Sequence, residues 1–164
     1  MEVFRKVLFP TDFSEGSYRA AKRFEEMNRM KVEELILLHV IDESTLEDLL
    51  NGYSLLYGKE ELEMEEVKKK LERKIMEKLL EKVENVKRAF KVEKVRVMVR
   101  FGFPWEEIVR VAEEEDVSLI ILPSHGKLGF SHEILGSTTV RVLRKTKRPV
   151  LIIKTHCSCG GDAV

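Results

Sequence analysis

Three glycines and a serine that follow an apolar run carry the clearest chemistry in this chain of 164 residues. The run is Leu119, Ile120, Ile121 and Leu122, and Gly126, Gly129, Gly136 and Ser137 come after it. The run reads as a buried strand, and residues 138–145 read as a helix. The connection, residues 123–137, is long for a strand-to-helix loop, and such loops usually carry function. Glycine lets backbone N–H groups approach a ligand, and a helix N-terminus adds unpaired N–H groups and a favourable dipole. Together these features can cradle phosphate. Ser137 either caps the helix or offers its hydroxyl to a phosphate oxygen. The spacing fits neither the P-loop nor the dinucleotide fingerprint. Taken alone, Gly136 and Ser137 are also an ordinary helix start.

A carboxylate stands at a second loop. Lys6, Val7, Leu8 and Phe9 read as a first strand, and Pro10, Thr11, Asp12, Phe13, Ser14 and Glu15 follow as a turn. Asp12 can bond an adenine amine or a ribose hydroxyl. It can equally close a turn on its own backbone.

These loops must be held by the rest of the chain. Ser14 is a predicted N-cap for a helix over residues 15–29, with Tyr18, Ala21, Phe24 and Met27 on one face. Residues 30–34 read as a link, and residues 35–41 as a second strand, apolar nearly throughout. Residues 42–58 are expected to be mobile or partly helical, interrupted at Gly52 and Gly58. A long amphipathic helix is predicted over residues 59–90, with Leu71, Ile75, Leu79, Val83, Val86 and Phe90 inward. Residues 94–100 alternate as a third strand, and a turn at Gly102 and Pro104 leads into a helix over 105–115. Residues 117–122 form the fourth strand and 148–153 the fifth. Strands alternating with helices argue for a single-domain α/β fold with a doubly wound parallel sheet. Its ligand lies at the carboxyl ends of the strands, where the strand order reverses. If the first and fourth strands are the central pair, the two loops meet there.

Composition excludes several classes. Hydrophobic residues make up 43%, so general disorder is excluded. The 29 acidic and 29 basic residues cancel, which argues against binding nucleic acid or an anionic membrane by bulk charge. No apolar run reaches a membrane span, and the N-terminal residues lack a signal-peptide pattern, so a cytoplasmic protein is expected. Charged residues reach 35%, as on the surface of a heat-adapted protein. Cys157 and Cys159 form a Cys-x-Cys pair, a poor disulfide candidate. With His156 and Asp162 they either bind a soft metal or belong to a flexible tail over residues 155–164.

The pattern resembles the universal stress protein family, especially its small archaeal ATP-binding members. The resemblance covers residues 4–154, and the domain is assigned to residues 1–154. It is carried by residues 6–15, by Leu37, Leu38, His39, Val40, Ile41 and Asp42, and by residues 102–108. Ser124, His125 and Gly126, then nine residues to Gly136 and Ser137, and finally residues 148–153 complete it. The family's phosphate motif is Gly, two residues, Gly, nine residues, Gly, then Ser or Thr. This chain matches at Gly126, Gly136 and Ser137 but has Pro123 at the first position. Proline has no N–H and fixes φ near −65°.

The resemblance implies a Rossmann-like five-stranded parallel sheet in the order 3-2-1-4-5. It implies ATP binding, with Pro10, Thr11, Asp12 and Val40 at the nucleoside end. Ser124, His125, Gly126, Gly136, Ser137 and Thr138 would surround the phosphates. A divalent cation such as Mg would ride on those phosphates. It further implies a regulatory, stress-response role, an as yet unknown protein partner and a homodimer through Val150–Ile153. No general base or Arg finger is in evidence, so no enzyme is expected, and any slow ATPase would be incidental. The alternative is a dimeric interaction module of the same family that lost ATP binding through Pro123. A nucleotidyl transferase or ATP pyrophosphatase would carry a His-x-Gly-His or Ser-Gly-Gly-x-Asp-Ser signature, and the turn after the first strand has neither.

Overall fold

The computed structural model describes residues 3–27, 31–57, 64–124 and 135–155. In chain order the elements are β1 (Val3–Pro10), α1 (Glu15–Met27), β2 (Lys31–Asp42), α2 (Glu43–Tyr57) and α3 (Met64–Phe90). Then come β3 (Lys94–Gly102), α4 (Pro104–Glu114), β4 (Leu119–Pro123), α5 (Ser137–Lys145) and β5 (Val150–Ile153). All strand pairs are parallel, in the order β3-β2-β1-β4-β5. The predicted fold class and strand order are therefore observed.

Alternation along the strands builds two cores. Val7 and Phe9 of β1, Leu35 and Leu37 of β2, and Leu119 and Ile121 of β4 join the core under α1 and α3. Leu8, Ile36, Leu38, Ile120 and Leu122 join the core under α4 and α5. A sheet covered on both faces needs such continuous apolar runs, because successive side chains point to opposite faces. The first core centres on Phe90, whose ring stacks on Phe24 at 4.5 Å and meets Phe9 at 5.0 Å. The second takes Ile108, Val111 and Ala112 from α4 and Val142 from α5, with Trp105 packed against it.

Two sequence readings are corrected. Residues 31–34 are not a link but the first part of β2, with Phe4 opposite Val32 and Lys6 opposite Glu34. Their charges hid the strand, yet Val32 is buried and Glu34 pairs with Lys94 at 3.0 Å and Arg96 at 3.4 Å. Residues 43–57 form a regular helix, α2, and Gly52 lies within it without breaking it. The long helix begins at Met64 among the described residues, and the predicted stretch 59–63 lies outside them. No described helix is long and apolar enough to cross a membrane.

Candidate functional site

The chain runs β1, β2, β3 outward to one edge and then returns to place β4 on the other side of β1. β1 and β4 are thus the switch-point pair, in register at Val7 with Leu119 and Leu8 with Ile120. Open α/β sheets bind ligands outside the carboxyl ends of the strands at such a switch point.

The loop after β1 is tightly tied. The Thr11 amide donates to the Leu38 carbonyl at 2.7 Å, extending the β1–β2 ladder past Pro10. The Thr11 carbonyl lies 2.7 Å from Nδ1 of His39. A carbonyl only accepts, so that bond places a hydrogen on Nδ1 and fixes the ring. Phe13 adopts a left-handed φ of 59° and lays its ring against His39, with centroids 4.7 Å apart. A bulky residue at positive φ is strained, and such strain persists only where the surroundings enforce it.

Asp12 sits at the centre of this loop. Its Oδ1 accepts the Ser14 amide at 2.9 Å and the Ser17 hydroxyl at 2.8 Å. The turn-forming role of Asp12 is therefore real. Ser14 caps α1 as predicted, its hydroxyl accepting the Ser17 amide at 3.2 Å. Val40 lies near the end of β2 opposite Arg100, half-buried against the α4 and α5 core.

The loop after β4 is anchored at both ends. The Ser124 amide donates to the Ile153 carbonyl, and the Gly136 amide donates to the Ser124 carbonyl, both at 2.8 Å. The Ser124 side chain is buried, and its hydroxyl accepts the Thr155 amide at 3.1 Å. Thr155, assigned from sequence to the start of the tail, is thus buried and bonded. Thr139 fixes α5 to the strand by donating its hydroxyl to the Pro123 carbonyl at 2.9 Å. Ser137 does not cap α5. Gly136 holds the N-cap position with no side-chain cap bond, and Ser137 is the first helical residue, exposed. α5 thus starts without a side-chain cap bond, and the backbone donors of a helix start suit an anion.

Of the predicted site residues, Pro10, Thr11 and Asp12 come from the first loop, Val40 from β2, and Ser124, Gly136, Ser137 and Thr138 from the second. His125 and Gly126 lie outside the described residues, as do Gly129 and the tail residues His156, Cys157, Cys159 and Asp162. Sequence reasoning missed Ser17, Phe13 and His39 as supports of the loop. The spacing of Asp12, Ser14 and Ser17 could have signalled the first, since it places hydroxyls on the opening turn of a helix. A lone His in an apolar strand could have signalled the last. Among the described residues no cluster of three or more His, Cys, Asp or Glu could hold a metal ion.

The fold defines a class: a doubly wound α/β protein whose switch point lies between β1 and β4. A sequence model of the universal stress protein family matches residues 4–154. Universal stress protein MJ0577 of Methanocaldococcus jannaschii is 41% identical over 159 residues, covering 93% of this chain and 96% of the relative. The chain belongs to the universal stress protein family. The solved structure of hypothetical protein PH0823 superposes with a TM-score of 0.79 at 62% identity, covering 92% of this chain and 96% of that one. The solved structure of MJ0577 gives 0.70 at 37% identity, covering 94% and 99%. A universal stress protein solved in complex with cAMP shares the fold at a TM-score of 0.61 and 20% identity, covering 94% and 100%.

Proposed function

We propose that this chain is a regulatory, stress-response protein that binds ATP or a related adenine nucleotide in the switch-point crevice. The observation that carries the reading is the switch point: the loop bearing the Asp12 carboxylate follows β1, and α5, which starts without a side-chain cap bond, follows its neighbour β4. The residues fit the group in chemical terms. Pro10, Thr11, Asp12 and Val40 would hold the nucleoside, and Ser124, His125, Gly126, Gly136, Ser137 and Thr138 the phosphates. The share of Ser124 would be to set the path of the backbone, since its hydroxyl faces Thr155. A divalent cation would be held chiefly by the phosphates, because no described carboxylate cluster offers a cage. The cAMP complex of a distant relative supports an adenine ligand on this fold. The chain would act in the cytoplasm, as a homodimer through Val150–Ile153, signalling by nucleotide occupancy and not by turnover.

The test is calorimetric titration of ATP with magnesium, after denatured protein has been checked for carried-over nucleotide. Micromolar binding that Asp12→Ala and Gly126→Val both weaken supports the reading. A folded protein that carries no nucleotide and gives no heat overturns it.

A further inference from the structure

A cavity open to solvent lies between α1 and α3, with the first loop at one end. It holds about 250 Å³. Its floor is apolar: Phe9 of β1, Leu37 of β2 and Val86 of α3 are all buried residues of the first core. Farther along the same two helices, Phe24 and Phe90 stack and close the space. At the cavity α1 and α3 present Ala21 and Ala89, which leave it open.

The mouth is cationic. Lys22 of α1 and Lys82 and Arg88 of α3 line it, against a single acid, Glu25. Neither Lys22 nor Lys82 forms an ion pair among the described residues. An apolar interior beneath a ring of positive charge matches a molecule with an apolar body and one anionic head. The volume sets the size. At about 30 Å³ per water-sized group it takes about eight such groups. The planar guanidinium of Arg88, which also donates to Asn85 Oδ1 at 3.3 Å, favours a carboxylate as that head. Phe13 walls the cavity at the end nearest the loop and does so with its strained φ of 59°.

We propose that this cavity binds a medium-chain monocarboxylate, its chain on Phe9, Leu37 and Val86 and its carboxylate at Lys82 and Arg88. The proposal does not depend on nucleotide binding. Of the residues assigned to the nucleotide only Thr11 also lines the cavity, although Ser14 and Ser17, which bond Asp12, line it too.

The probe is octanoate, titrated into the full chain at low salt without nucleotide, with octylammonium and 1-octanol as controls. Amide shifts locate the binding. We expect saturable binding of octanoate, with shifts at residues 17–22 and 82–89 and none at 136–139. We expect octylammonium to bind more weakly. Lys82→Gln with Arg88→Gln, both exposed and remote from the core, should weaken octanoate about tenfold while leaving 1-octanol unchanged. Ala21→Phe should fill the space and block all three. Octanoate that fails to saturate, that shifts residues 136–139 instead, or that binds the double variant as it binds the parent overturns the proposal. Octylammonium binding as well as octanoate does so too.

Discussion

The hydroxyl of Ser17 donates to Oδ1 of Asp12 at 2.8 Å, so the opening turn of α1 aims the carboxylate of the loop before it. The Ser14 amide bonds the same oxygen at 2.9 Å, and the Asp12 amide reaches the Ser17 hydroxyl at 3.5 Å. Ser17→Ala removes one of these bonds at a buried position. It should lower unfolding stability by about 1 kcal/mol, the usual net worth of a hydrogen bond. It should also weaken ATP severalfold, because Asp12 then rotates more freely. Urea unfolding and titration, run on the same preparation, check both effects. Unchanged affinity in a destabilised Ser17→Ala would mean that the aim of Asp12 does not matter to the ligand.

Gly102 closes β3 at a φ of 142°, a conformation that side chains rarely adopt. A Cβ there would stand 3.1 Å from Cγ of Glu107, which is itself buried and paired with Arg110. Gly102→Ala should therefore cost about 1–3 kcal/mol, the range for one strained backbone residue. Thermal unfolding reads the loss directly. A melting temperature equal to the parent's would show that the turn into α4 yields at little cost.

Arg148 joins the start of β5 to the end of α4, bonding Glu113 at 3.0 Å and Asp116 at 2.5 Å. Its hydrogen bonds first, and its charge after them, hold both carboxyls below their ordinary ranges. Arg96 does the same for Glu115. A depressed carboxyl pKa means that the folded state favours the ionised form. The stabilisation is then complete above the ordinary carboxyl range and is lost as pH falls through and below it. Melting temperature should fall as pH drops below about 4.5, with Arg148→Ala showing a shallower acid limb. The pairs are exposed, so salt should shrink the difference. The network lies at the amino-terminal edge of the sheet, and Arg148→Ala should leave ATP affinity unchanged.

The sheet was legible because its strands are apolar on both sides. Leu35, Ile36, Leu37 and Leu38 suit a strand covered on both faces, and the order of alternating elements restricts the topology. The family motif then located both loops. What escaped depends on contacts between distant residues. Lys31, Glu33 and Glu34 look like a link until β1 and β3 supply their partners. The segment holding α2 was read as only partly helical, because Leu49, Leu55 and Leu56 are exposed and Leu46 alone is buried among its leucines. Ser137 was a reasonable cap by residue type, but Thr139 binds the Pro123 carbonyl and sets the start of α5 one residue earlier. The cavity between α1 and α3 arises from alanines, which read as ordinary helix formers.

β5 pairs with β4 only and is the outer strand of the sheet on that side. Leu151 and Val150 lean on the two cores, while Ile152 is half-buried and belongs to neither. An apolar edge strand needs cover, and a second copy across a two-fold axis would supply it. Ile152→Lys should convert the proposed dimer to a monomer at the same protein concentration, with little loss of helical signal. Light scattering after size exclusion distinguishes the two. A parent protein that is already monomeric removes the proposed dimer, and a variant that stays dimeric places the interface elsewhere.

Pro123 is the departure from the family motif, and the structure makes it the last residue of β4, opposite Ile153. It contributes no amide, yet its carbonyl anchors α5 through Thr139 at 2.9 Å. The two functions are separable. Pro123→Gly restores an N–H and leaves the carbonyl in place. It should tighten ATP binding if that donor reaches the phosphates, and cost about 0.4–1 kcal/mol of stability through the freer unfolded chain. Thr139→Val keeps the proline but leaves its carbonyl without that donor. That should cost about 1–3 kcal/mol and loosen the first turn of α5, weakening ATP. Tighter binding in the first and weaker in the second would mean that the chain binds nucleotide despite its proline, through the anchored helix. If the glycine variant alone binds ATP, the proline closes the crevice, and the interaction-module reading prevails.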